Sequence, residues 1–305
     1  MKVKKNAVKS APASDKGPAL ASEIKPEQSQ ELLKELHILT REGKLNQDSR
    51  RKLKQVYHLY HFIEKILLEL SRSNKSDWAA APRALTLADH GAGKSYLGFI
   101  VYDLFFKGRS TGHIYGIETR ADLVEKSREL AQRLGFDRMS FLNLSVAESA
   151  LAADLPDRID VVTALHACDS ATDDAIAFGL HKKAKFMVLV PCCQAEVARA
   201  LGQNRVLALA RTPLAELWRH PLHAREMGSQ LTNVLRCLYL EASGYQVTVT
   251  ELVGWEHSMK NELIIAHYTG HRKPDSAERL RAVLEQFGLL DLLATRFVLG
   301  DNPVQ

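Results

Sequence analysis

The sequence predicts an α/β fold built on a Rossmann-like, doubly wound sheet of seven strands. Two early segments predict it. A short apolar run, Leu85–Ala88, leads through Asp89 into a glycine-rich turn, and a helical pattern begins at Tyr96. A second strand, His113–Glu118, again ends in an acid, and a helical pattern over Ala121–Leu134 follows it. A strand, a glycine-rich turn, a helix and a second strand with a terminal acid form the first half of a Rossmann unit.

The later apolar segments complete the sheet. Further strands are expected at Met139–Leu144, Ile159–His166, Phe186–Pro191, Tyr245–Val253 and Glu262–Tyr268. We expect the last of these strands to run antiparallel to its neighbours. Pro213 and Pro221 break the long helical pattern between the fifth and sixth strands, because proline cannot continue a helix.

Composition divides the chain into four segments. Residues 1–27 are rich in Lys, Ala, Pro and Ser and predict a disordered basic tail, and residues 28–78 predict a helical extension. Residues 79–271 predict the ligand-binding α/β domain, with a helical insert at about 194–243. Residues 272–305 predict a C-terminal helical segment that a glycine interrupts.

Positive charge is concentrated at the start of the chain. Residues 1–60 contain 13 Lys and Arg against 7 Asp and Glu, whereas the whole chain has a net charge of only +5. In the helical extension, Arg50, Arg51, Lys52 and Lys54 fall off the apolar stripe. This asymmetry favours an acidic partner, most simply nucleic acid, and an ordinary solvated helix face is the alternative.

Composition also excludes several classes of protein. At 305 residues with 46% hydrophobic composition, the chain is long enough for a sizeable core. No apolar run reaches the roughly 18 residues of a membrane span, and the charged start does not predict a secretory signal. Four cysteines do not predict a disulfide framework, so we expect a cytoplasmic protein. The oligomeric state stays open.

The glycine-rich turn has two possible ligands. Gly93–Ser95 resembles the end of a phosphate-binding P-loop, but that loop needs a glycine where Ala88 stands. Asp89 would repel phosphates, whereas it favours a ligand with a sulfonium and an ammonium group. We therefore predict S-adenosylmethionine as the cofactor. Its expected contacts in the turn are Asp89, Gly91, Ala92 and Gly93.

Acids and polar groups at other strand ends extend the predicted cofactor site. Glu118 lies 25 positions after Gly93, near the spacing at which Rossmann folds place the acid that binds ribose hydroxyls. Because parallel sheets bind ligands beyond the carboxyl ends of their strands, we also expect Ser145 and His166 to contact the cofactor.

The ends of the fourth and fifth strands carry the candidate chemistry. Neighbouring strands should bring His166, Cys168 and Asp169 together with Cys192 and Cys193. We predict His166 and Asp169 as catalytic residues, because each can accept a proton at neutral pH. Either is alternatively structural, His166 as a core histidine and Asp169 as a helix cap.

Four segments together resemble one methyltransferase-domain family. They are Asp89–Lys94, His166–Asp173, Pro191–Cys193 and Lys260–Asn261. The resemblance covers roughly residues 45–270, and the family is similar to the eukaryotic transfer-RNA 2′-O-methyltransferases with a His-x-Cys-Gly-x-Ala-Thr-Asp motif. It implies a class I S-adenosylmethionine-dependent methyltransferase that acts on RNA. Asp169 stands where those enzymes have glycine, and their zinc-binding module has no counterpart here.

RNA contacts are predicted for a wider set of residues. The set comprises Lys94, Cys192, Cys193, Lys260, Asn261, Arg51 and Lys54. Basic side chains of the insert are further candidates for a substrate groove, namely Arg211, Arg219, Arg225 and Arg236.

Several alternatives stay open. The cysteines pack as small semi-apolar residues in the favoured interpretation, but a thiolate nucleophile in Pro191–Cys193 is possible chemistry. A metal site of His166, Cys168, Cys192 and Cys193 has suitable ligand types, although adjacent cysteines seldom share one ion, and we expect no metal. The acceptor is alternatively a protein or small molecule, or the chain binds the cofactor without turnover.

Overall fold

The structure, a computed structural model, describes residues 24–73, 84–165, 170–191, 195–203, 212–252 and 262–299. Within those ranges no helix is both long and apolar enough to cross a lipid bilayer. Most of the predicted basic tail, residues 1–27, lies outside the described residues.

A seven-stranded mixed sheet forms the centre of the molecule. Its strands are β1 (Thr86–His90), β2 (His113–Glu118), β3 (Met139–Asn143), β4 (Val161–Leu165), β5 (Phe186–Val190), β6 (Tyr245–Glu251) and β7 (Glu262–Tyr268). Their order across the sheet is β3-β2-β1-β4-β5-β7-β6. Strand β7 is antiparallel to β5 and β6, whereas the first five strands pair in parallel. The predicted Rossmann-like sheet with an antiparallel last strand is confirmed.

Burial explains which segments became strands. All five residues of β5 are buried, as expected of a parallel strand covered by helices on both faces. At the edge of the sheet, β6 exposes several of its residues. The fourth strand begins at Val161 and not at Ile159, and just before it the Asp160 carboxylate accepts hydrogen bonds from the Thr86 backbone and hydroxyl.

Helices cover both faces of the sheet. They are α1 (Gln30–Glu35), α2 (Gln47–Ser73), α3 (Tyr96–Val101) with a π-helical turn at Tyr102–Phe106, α4 (Ala121–Arg133), α5 (Val146–Leu151), α6 (Ser170–His181), α7 (Glu196–Gln203), a 3₁₀ turn at Pro213–Trp218, α8 (Pro221–Ala242), α9 (Ser276–Gln286) and α10 (Asp291–Thr295). The predicted breaks at Pro213 and Pro221 are confirmed, since each proline opens a new helical segment.

The helical extension shares its core with the sheet. The apolar stripe of α2 is buried at Leu53, Tyr60, Ile63 and Leu67. These side chains belong to one hydrophobic cluster with Phe99 of α3 and with residues of β1 and β2. A second cluster, on the opposite face, joins the sheet to α6, α8 and α9. The extension is therefore packed as part of the sheet domain.

One predicted groove residue, Arg236, is instead a core residue. Its side chain is fully buried in α8, and Nε and Nη2 donate to the two carboxylate oxygens of Asp173 at 2.6 and 3.0 Å. Nη1 donates to Asn233 at 3.1 Å. The prediction that Arg236 lines a substrate groove is wrong, because this guanidinium is used to join α8 to α6.

Breaking this pair should destabilise the fold. In Asp173→Ala the buried Arg236 loses its counter-charge, and we expect the free energy of unfolding to fall by about 3–5 kcal/mol. Glu216→Ala removes the partner of Arg219 in a pair that is 66% exposed at both side chains, and should cost less than about 1 kcal/mol. Chemical denaturation compares the two variants. Equal losses would show that the buried pair contributes no more than a surface pair.

Candidate active site

The candidate site begins with a buried carboxylate at the end of β1. Asp89 is only 1% exposed, and its Oδ1 accepts a 2.9 Å hydrogen bond from the Thr163 hydroxyl on β4. Its Oδ2 has no hydrogen-bond partner among the described residues. Burial raises the pKa of Asp89 to about 7, although the Thr163 hydroxyl and the nearby Gly98 N–H oppose the shift. The carboxyl group can therefore change its charge near neutral pH.

The loop after β1 turns through two glycines. Gly91 and Gly93 have φ angles of 67° and 57°, in the left-handed region that glycine adopts without steric cost. Within the turn, Ala92 N–H donates to the Ile117 carbonyl at 3.0 Å, and Gly93 N–H donates to Glu118 Oε2 at 2.8 Å. Both contacts attach the loop to the end of β2.

Glu118 faces this loop as a charged group. Burial alone would raise the pKa of Glu118, but the N–H groups of Arg120 and Gly93 and the Arg120 guanidinium hold it below its usual value. The Arg120 N–H donates to Oε1 at 3.1 Å, and Arg120 Nε lies 3.4 Å from the same oxygen. Glu118 is therefore a preorganised carboxylate at the carboxyl end of the sheet.

Together these elements enclose a cleft of about 510 Å³. Its walls come from the carboxyl ends of the first four strands and from the starts of α3 and α6. The lining residues are Asp89 to Lys94, Tyr96, Leu97, Ile117 to Arg120, Leu144, Leu165, Ala171 and Asp174. A cleft at the carboxyl ends of parallel strands is where open α/β sheets bind ligands.

A larger cavity lies at the other end of the strands. It has a volume of about 890 Å³, and its lining includes Arg158, Lys183, Tyr245 and Tyr268. Arg158 and Lys183 precede β4 and β5, so this cavity lies at the amino ends of the parallel strands. Because the glycine turn and Glu118 are at the opposite ends, the smaller cleft is the candidate site.

His90 is a cleft residue that the sequence did not indicate. Its side chain is 4% exposed, and neither ring nitrogen has a hydrogen-bond partner among the described residues. The ring lies 5.4 Å from that of Phe178, centroid to centroid. Burial lowers the pKa of His90 to about 4, so the imidazole is neutral at physiological pH. Side chains alternate along a strand, so His90 lies on the opposite face of β1 from Asp89. This alternation was the sequence signal from which its position could have been predicted.

Most of the predicted cofactor residues meet in the cleft. Those that line it are Asp89, Gly91, Ala92, Gly93 and Glu118, and Lys94, which was predicted to contact the RNA, lines it as well. Ser145 does not line the cleft; its hydroxyl accepts a hydrogen bond from the Glu148 N–H, and Glu148 bonds back in a capping box that starts α5. Leu144, one residue earlier, lines the cleft instead.

The predicted catalytic loops lie outside the described residues. This applies to His166, Cys168, Asp169, Cys192, Cys193, Lys260 and Asn261. The described residues contain no group of three potential metal ligands, but all four residues of the metal alternative are outside them. Leu165 and Ala171, which flank residues 166–169, both line the cleft.

Asp174 is a second cleft residue that the sequence analysis missed. It lies on the first turns of α6, and burial raises its pKa. Arg296, at the C-terminal side of α10, lies 3.7 Å from its carboxylate and opposes that shift. The residue that supplies this charge is more than a hundred positions away, which no local pattern could reveal.

Residues 51–200 match the family model described as a methyltransferase domain. This range contains β1 to β5 and every residue that lines the cleft. No curated protein matches the chain.

Several solved methyltransferase structures are similar to the chain at low identity. The DszA carbon methyltransferase aligns over 81% of this chain and 60% of its own, with 15% identity and a TM-score of 0.47. Magnesium protoporphyrin IX methyltransferase (ChlM) from Synechocystis PCC 6803, with bound SAH, aligns over 78% and 93%, with 11% identity and a TM-score of 0.41. The fibrillarin pre-rRNA processing protein of Methanococcus jannaschii aligns over 61% and 67%, with 12% identity and a TM-score of 0.40. Similarity at this level says nothing about substrate.

Two glycine variants separate an effect on ligand binding in the cleft from an effect of backbone strain. Gly93→Val and Gly135→Val both place a β-branched residue at positive φ, 57° and 67°, with no close neighbour to its Cβ. Each should cost about 1–2 kcal/mol of stability. Only Gly93 lines the cleft, so only Gly93→Val should weaken binding of S-adenosylhomocysteine, by about 100-fold or more in calorimetry. Equal affinities in the two variants would place the ligand elsewhere.

The buried Asp89 should make stability depend on pH. Between its ordinary pKa, about 4, and its folded pKa of about 7, the folded protein holds a proton that the unfolded chain has released. Its contribution to stability therefore falls as pH rises through this window and is constant above it. Relative to Asp89→Asn, which keeps an acceptor for Thr163, the wild type should lose about 2 kcal/mol between about pH 5 and 8. Urea unfolding measures this difference, and a difference that does not change with pH contradicts the shift.

Proposed function

We propose that the chain, a methyltransferase that depends on S-adenosylmethionine, acts on RNA, either transfer RNA or ribosomal RNA. The match to a methyltransferase domain and the cleft at the ends of β1 and β2 support the reaction class. The observation that carries RNA as the acceptor is the basic face of α2. Arg51, Lys52 and Lys54 are exposed there, while the opposite face of the helix is buried.

The residues of the cleft fit the proposed cofactor. S-adenosylmethionine carries a sulfonium, an ammonium group and two ribose hydroxyls, and it supplies a methyl group on a good leaving group. The charged Glu118 is suited to accept hydrogen bonds from the hydroxyls. Gly91, Ala92 and Gly93 leave the loop backbone open for close approach. One oxygen of Asp89 has no partner among the described residues, and the carboxyl group, with a pKa of about 7, supplies negative charge below the loop in its ionised form.

The tasks left to the protein are alignment and proton removal. We propose His166 and Asp169 as the groups that take the proton from the acceptor, because they follow β4, whose last residue, Leu165, lines the cleft. Lys94, Cys192, Cys193, Lys260 and Asn261 are proposed to contact the acceptor. Cys237 is a free thiol. The small number of cysteines agrees with a reducing cytoplasm, which is the compartment we propose for the protein.

Transfer of a labelled methyl group tests this function. The purified chain is incubated with methyl-labelled S-adenosylmethionine and RNA from a strain of the source organism that lacks the gene. We expect label in the RNA, and mass spectrometry of the digested nucleosides identifies the acceptor atom. In His166→Ala, turnover should fall about 100-fold or more while S-adenosylhomocysteine still binds.

Other outcomes of the same experiment separate the alternatives. Label in protein or in small molecules, with none in RNA, rejects RNA as the acceptor. Cofactor binding without transfer to any fraction indicates a binding module. Cys192→Ser and Cys193→Ser should retain most activity. A serine variant that is dead, or one that traps a covalent RNA adduct, would replace the His166 mechanism with a thiolate nucleophile.

A further inference from the structure

The cofactor cleft and two further cavities follow one another towards the start of α2. The cleft shares Lys94 and Tyr96 with a second cavity of about 240 Å³ between α4 and the end of α1. That cavity shares Glu35 and His37 with a third, of about 560 Å³, which reaches Ser49 on α2. Neighbouring cavities share wall residues, so the three are adjacent to one another in this order. We call the second and third cavities the basic groove.

One side of α4 forms a wall of the groove. Leu123, Lys126, Ser127, Leu130 and Arg133 line the second cavity, and their spacing of three and four residues puts them on a single helix face. Lys126 and Arg133 are two turns apart, or about 10 Å along the helix. The apolar members of this wall are buried in the core, so the two cations are left at its rim.

Cationic side chains outnumber acidic ones in the lining of the basic groove. The cationic lining residues are Lys34, Arg41, Lys94, Lys126 and Arg133, and the acidic ones are Glu35 and Glu129. Arg133 pairs with Glu35 at 3.3 Å, and Lys126 pairs with the exposed Asp122 at 3.6 Å. Among the described residues, no carboxylate lies within ion-pair distance of Lys34, Arg41 or Lys94. The groove therefore has positive charge to offer an anionic ligand.

We propose that the basic groove binds the RNA strand next to the nucleotide placed in the cofactor cleft. This rests on the proposed function and adds to it a path for the substrate. A strand that leaves the cleft passes Lys94 and Tyr96, crosses the α4 wall beside Lys126, and reaches Lys34 and Arg41. Phosphate contacts of this kind position a nucleic acid without reading its bases, and rings such as Tyr96 and His37 offer surfaces on which bases stack.

The position of the N-terminal helices supports this path. The loop between α1 and α2 lines the groove, and α2 is packed into the same core as α3, whose first residue, Tyr96, borders the cleft. Arg51, two positions after Ser49, is exposed on α2 and does not line the groove. The groove thus lies between the predicted cofactor loop and the basic extension.

A pair of triple variants tests the groove. Lys34→Gln, Arg41→Gln and Lys126→Gln remove three positive charges from it. Arg158→Gln, Lys183→Gln and Arg281→Gln remove three exposed charges elsewhere. Arg158 and Lys183 line the larger cavity at the amino ends of the parallel strands. Binding of a short fluorescein-labelled single-stranded RNA is measured by anisotropy over a range of salt concentrations, and circular dichroism checks that each variant is folded.

The groove variant should bind RNA about tenfold or more weakly at physiological salt. Its plot of log affinity against log salt should be shallower by about 2, since each lost contact to a single strand removes about 0.7. The control variant should match the wild type in both, and both variants should bind S-adenosylhomocysteine normally. RNA affinity equal to the wild type in the groove variant, or no RNA binding by the wild type, would overturn the proposal. RNA bound through the groove but never methylated leaves the groove intact and rejects the proposed function instead.

Discussion

The hydrogen bond from Thr163 to Asp89 joins β4 to β1 at the level where β1 ends, and the cleft is arranged around it. A carboxylate at that depth is costly to bury, and only one of its oxygens has a partner among the described residues. The chain then has to leave the sheet at once, which the two glycines with positive φ permit. Their turn brings the Gly93 N–H to Glu118, so the ends of β1 and β2 are held in one arrangement.

Elements that depend on burial alone could be predicted from the sequence. Strand β5 is an unbroken apolar run because helices cover both of its faces, and the same pattern identified β4. Helix α4 ends at Arg133, within one residue of the predicted end, and just beyond it the N–H groups of Phe136 and Gly135 bond to the carbonyls of Ala131 and Gln132. The cofactor loop was equally accessible, since its glycines and acids are local in sequence.

Features that depend on distant partners could not be predicted. Arg236 has the same appearance in sequence as the exposed arginines of the insert, and only its contact with Asp173, 63 positions away, makes it a core residue. His90 lies between Asp89 and Gly91, and the sequence pattern assigned a role only to these two neighbours. The capping box of Ser145 and Glu148, three positions apart, was by contrast visible in the sequence. The basic groove combines three separate segments and has no local pattern at all.

The shared walls of the cleft and the groove have a thermodynamic consequence. Lys94 and Tyr96 border both, so a ligand in either space that displaces them changes the free energy of filling the other. Linkage makes that effect reciprocal: whatever factor one occupant imposes on the affinity of its neighbour is returned unchanged. Two side chains at the start of a six-residue helix thereby set whether the two occupants cooperate or compete.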